Sequence, residues 1–116
     1  MTTGDELKAD LLHEAEDDWL DIFQAIALVK VVEGGEGRLP LLRRAGPLLV
    51  DLVRDGSLVC GEPVADPPGA FDAWALEPSA AAEALRRYID RALAGEVALV
   101  PWEPCSFALP AQVRSG

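Results

Sequence analysis

The chain reads as a small α+β domain: helices followed by a β-hairpin, with an extra C-terminal helix and a short strand. Three observations carry this expectation. Apolar residues recur at three- and four-residue spacing through the first half. Two short β-like runs, SLVCGEPV (57–64) and FDAWAL (71–76), flank the turn-rich ADPPGA. A second helical pattern then opens at Pro78 and stops at Gly95. At 116 residues the chain is the size of one ordinary domain. Half of its residues are apolar, which excludes wholesale disorder.

Residues 5–18, DELKADLLHEAEDD, predict a short acidic helix whose narrow apolar stripe is Leu7, Leu11 and Ala15. Asp17 and Asp18 suit the N-cap of the next helix. From Trp19 to Val32 the apolar positions include Trp19, Ile22, Phe23, Ile26 and Val29, with Leu20, Leu28 and Val31 on a second face. A helix apolar nearly all round is buried on several sides or lies at a subunit contact, so this one is expected at the centre of the fold. Gly34, Gly35 and Gly37 end it.

Residues 38–55, RLPLLRRAGPLLVDLVRD, would be one amphipathic helix but for Gly46-Pro47. Proline within a helix costs ~3 kcal/mol or more. The expectation is therefore two helices, 40–45 and one starting at Pro47, with Leu48, Leu49, Leu52 and Val53 buried. After the hairpin, a helix from Pro78 to about Ala94 carries Ala82, Leu85, Ile89, Ala92 and Leu93 as its apolar face. Pro101 and Pro104 then leave only short extended pieces, with Cys105–Leu109 the third strand. The division along 1–116 is an acidic N-terminal helix (5–17), a body (18–76), and a C-terminal helix and strand (77–110).

The order helix, short helix, Gly-Pro turn, longer helix and strand pair resembles the winged helix-turn-helix architecture. The residues that carry the resemblance are LPLLRRAGPLLVDLVRDGSLVCGE, 39–62. In DNA-binding members the third helix enters the major groove and presents polar and basic side chains to bases and phosphates. Here that helix offers Val50, Asp51, Arg54 and Asp55, and the loop PVADPPGA carries Asp66 and no base. The local basic cluster is Arg38, Arg43 and Arg44, which would be the DNA-contact patch of a winged-helix regulator acting as a dimer.

Charge separates the halves of the problem. The chain carries a net charge of −10. Residues 1–21 hold eight acids and one base, against twelve acids and nine bases in the rest. Nucleic-acid binding requires cations to displace counterions from phosphates, so the acid excess weighs against it. The acids point instead to a protein partner of positive charge, with Asp10, Glu14, Asp17, Asp18 and Asp21 as the contact residues. Trp102, flanked by prolines, either covers the core edge or anchors that partner. A homodimer through the 19–32 helix is the other partner expectation.

Catalytic groups do not assemble in the sequence. Asp10, His13, Glu14 and Asp17 share one helix face and could hold a divalent cation or use His13 as a base. Without an HExxH pattern, a second ligand cluster or a nearby nucleophile, the face reads as solvated acid. Ser57, Ser79 and Ser106 have no histidine at triad spacing, and GGEG (34–37) lacks the GxxxxGK[ST] of a phosphate loop. Cys60 and Cys105 form no CxxC and read as small buried apolar residues. No catalytic, metal or cofactor site is expected. No export signal or 18-residue apolar run is present, so a cytoplasmic protein off the membrane is expected, and the Arg, Ala, Gly and Pro bias suits a GC-rich bacterial genome. The function expected is a non-catalytic bacterial protein-binding module, of the immunity or antitoxin type in its most concrete form.

Overall fold

The computed structural model describes residues 3–17, 19–64, 70–100 and 103–113. The element order is α1 (Thr3–Asp17), α2 (Ile22–Glu33), α3 (Arg38–Arg54), β1 (Val59–Val64), β2 (Ala70–Ala73), α4 (Pro78–Leu93) and β3 (Ser106–Ala108), then a 3-10 turn at Pro110–Gln112. The fold is α+β. Helices leading into a small antiparallel sheet are compatible with the winged-helix resemblance.

The α1 stripe packs as its spacing dictates: Leu7, Leu11 and Ala15 are buried. The start of α2 differs from expectation. Trp19 and Leu20 lie outside the helix, and Leu20 exchanges two backbone hydrogen bonds with Phe107, 2.9 and 2.8 Å long. The N-cap is Asp21 in place of Asp17 or Asp18. Its side chain accepts from the Gln24 N–H at 2.8 Å, while the Gln24 side chain accepts from the Asp21 N–H at 2.8 Å. This reciprocal capping box satisfies two N–H groups that the helix itself leaves without acceptors. Gly34 ends α2 at φ 78°, where an L side chain would be strained, and its N–H donates to Lys30 O.

The expected break at Gly46-Pro47 is absent. Helix α3 runs unbroken for 17 residues with Pro47 inside it. The Arg43 carbonyl thereby loses an N–H partner, but Pro47 lies on the exposed side, where water can reach it. Leu41, Leu42, Ala45, Leu49, Leu52 and Val53 form one continuous buried stripe, and its packing outweighs the local cost. Gly46 is the point of close approach to α4: a Cβ there would sit 3.0 Å from Ile89 Cγ2.

Helix α3, rather than α2, is consequently the central helix, packing against α1, α2 and α4. Helix α2 buries Ile22, Ala25, Ile26 and Val29 but leaves Val31 82% exposed. The sheet has the order β2-β1-β3, antiparallel throughout, with Gly61 opposite Ala73 on one edge and Ser106 on the other. Gly61 is required by that crowding, because a Cβ would fall 2.4 Å from the Asp72 carbonyl oxygen and 2.6 Å from the Phe71 ring. The hairpin strands are shorter than the runs 57–64 and 71–76. Ser57 and Leu58 donate backbone N–H groups to Leu52 O as α3 closes, and the second strand ends at Ala73. Strand β3 brings Phe107, fully buried, into the core.

Candidate functional site

Helix α1 turns its buried stripe to the core and its acids to solvent. Asp10, Glu14 and Asp17 are exposed, and among the described residues none of them makes an ion pair. Two neighbouring groups of α1 are paired. Lys8 meets Asp51 at 3.2 Å, and His13 Nδ1 lies 3.2 Å from Glu16 Oε2. The partner the structure gives His13 is thus Glu16, not Asp10, Glu14 or Asp17. Among the described residues no group of three His, Cys, Asp or Glu side chains is placed to hold a metal ion.

Asp21, one of the expected partner contacts, is only 5% exposed and caps α2 through its Oδ1. Asp18 and Trp102 lie outside the described residues, as does the loop with Asp66.

The basic cluster is exposed at the N-terminal half of α3 but partly engaged. The Arg38 guanidinium stands 5.1 Å from the Phe23 ring centre, and Arg44 Nη1 is 3.3 Å from Glu33 Oε1. Arg43 lines the groove between α3 and α4, beside Asp51, Arg54, Arg86 and Asp90. Arg86 is itself held by Glu83 and Asp90, and the pairing draws the Glu83 carboxyl below its usual range. On the polar side expected to read bases, Val50 is buried, Asp51 is tied to Lys8 and Arg54, and Asp55 accepts the Ser57 N–H at 2.9 Å. Hydrogen bonding from Ser57 holds the Asp55 carboxyl below its ordinary value.

The sheet interior contains two thiols, both buried as expected. Cys60 sits opposite Phe107, and contact with Cys60 together with burial pushes the Cys105 thiol far above the ordinary range. It therefore stays protonated and has little nucleophilic character.

The sequence put Leu28 and Val31 on a second face of a helix either buried on several sides or at a subunit contact. In the structure they border a shallow groove of about 320 Å³ between α1 and α2, together with Leu11, Glu14, Leu20, Gln24 and Ala27. On the other side of α2, a groove of about 300 Å³ is lined by Phe23, Ile26, Ala27, Lys30, Gly37, Arg38 and Leu41. The signal in the sequence was the all-round apolarity of 19–32, which fits a subunit contact as well as burial. No helix among the described residues is long and apolar enough to cross a membrane. No protein-family model, no curated protein and no solved structure matches the chain.

Proposed function

We propose that the protein is a non-catalytic protein-binding module whose α1 face engages a cationic partner, most concretely as a small bacterial immunity or antitoxin-type protein. The observation that carries this reading is the state of Asp10, Glu14 and Asp17. They are exposed on α1 without ion pairs among the described residues, in a segment, 1–21, that holds eight of the chain's twenty acids and one base. A concentrated field of one sign accelerates encounter with an oppositely charged surface and falls with salt. The test is affinity capture from the source cells, then reconstitution with the identified partner. Reversal of all three acids (Asp10→Lys, Glu14→Lys, Asp17→Lys) abolishes binding, and the wild-type association rate drops as salt rises. A partner that binds the triple variant equally well would overturn the reading.

The alternative is a winged-helix regulator that binds DNA as a dimer through Arg38, Arg43 and Arg44. It is favoured by the exposure of all three at one end of α3. It is opposed by Asp51 farther along the same helix and Asp55 at its C-cap, and by the engagement of Arg44 with Glu33. Retention of duplex DNA on a filter at low salt, lost in Arg43→Ala, would support this alternative.

A further inference from the structure

We infer that the outward face of α2 is a homodimer interface, and that the two copies of α2 run parallel across a two-fold axis. This goes beyond the cationic-partner reading and is tested on the chain alone. Phe23, Ala27 and Val31 recur every four residues and form one strip along α2. Phe23 is half-buried, Ala27 exposed and Val31 82% exposed. Ala27 lines both flanking grooves, so the strip is their shared ridge.

The rims of that ridge carry opposite charge. Glu14 of α1 lines one groove, and Lys30 and Arg38 line the other. Neither Glu14 nor Lys30 has an ion pair among the described residues. A second copy of the chain is therefore the occupant that the surface complements. In a two-fold contact each patch meets its own copy, so the orientation of the axis decides which rims meet. An axis along α2 keeps height along the helix and exchanges its two sides. The Glu14 rim of one copy then meets the Lys30 and Arg38 rim of the other, while Val31 approaches its own equivalent. An axis across α2 would run the helices antiparallel, set rims of like charge on the same side and move Val31 toward Phe23. Like charges opposed in this way disfavour the second arrangement.

Sedimentation velocity on the wild-type chain tests the inference, with an expected mass twice the 12.4 kDa of one chain. Ala27→Arg is an exposed substitution and gives a monomer with unchanged circular dichroism. Glu14→Lys and Lys30→Glu each weaken the dimer several-fold, and the double swap restores it. Val31→Cys yields a disulfide-linked dimer on mild oxidation, which only the parallel arrangement allows. A wild-type chain that stays monomeric at high micromolar concentration overturns the inference, as does a dimer indifferent to Ala27→Arg. A dimer that Ala27→Arg disrupts but Val31→Cys fails to cross-link overturns the parallel arrangement. The cationic-partner reading fails separately, if partner binding survives the double reversal Asp10→Lys, Asp17→Lys, which leaves Glu14 at the dimer rim.

Discussion

Asp21 shows how a charge at one residue can be claimed by local structure. It belongs to the N-terminal run of acids, but its carboxylate accepts the Gln24 N–H and is nearly inaccessible. Replacing an N-cap Asp by Ala costs ~1 kcal/mol, and Asn keeps most of the bond. Asp21→Ala should therefore lower the urea midpoint by an amount equivalent to ~1 kcal/mol, with Asp21→Asn close to wild type. Equal losses in the two variants would show that the cap contributes nothing specific. The acid at Asp55 works in the same local way. Its carboxyl is held below the ordinary 3.8 by Ser57, so its stabilising contribution is present above that pH and lost as pH falls through the lower folded value. The group is exposed, and solvent screening keeps this contribution small.

At the scale of elements, α3 decides the architecture. A proline that costs ~3 kcal/mol in isolation does not divide the helix, because the buried stripe on both sides of it must face the same core. Pro47→Ala should restore the hydrogen bond to the Arg43 carbonyl and stabilise the protein by about 1–2 kcal/mol, after allowing for the proline's restriction of the unfolded chain. Chemical denaturation checks the sign, and a loss of stability would mean that the proline shapes a packing contact with α4. The other elements were legible in the sequence to within a few residues. The α1 stripe, the hairpin, the helix from Pro78 and the strand around Phe107 all follow from periodicity and punctuation. The start of α2 was not legible, since Asp17, Asp18 and Asp21 are all competent caps. Only the pairing of Leu20 with Phe107, 87 positions apart in the sequence, selects among them.

For the whole molecule, burial and charge divide between the two sides of α1. Leu7, Leu11 and Ala15 bind the helix to the core, while Asp10, Glu14 and Asp17 give the surface its sign. Leu11→Ala should destabilise the fold by about 2–5 kcal/mol. A thermal melt that drops by several degrees would confirm that the acidic helix is an integral layer. An unchanged melt would make it a detachable arm. The candidate site was legible only in part. The acid count located α1, but the exposure of Val31 and the opposed rims of α2 depend on where α3 and α1 stop covering it.

The sequence by itself determined the fold class, the amphipathic stripes and the acidity of the first helix, because these follow from residue type and spacing along one chain. The tertiary structure decided that α3 is continuous, that Asp21 is a cap, and that α2 keeps an apolar strip in solvent between rims of opposite charge. The physical reason is common to all three. Each depends on which distant surface packs beside the residue, and burial energy from such contacts outweighs local preference by more than the cost of one proline or one choice of cap.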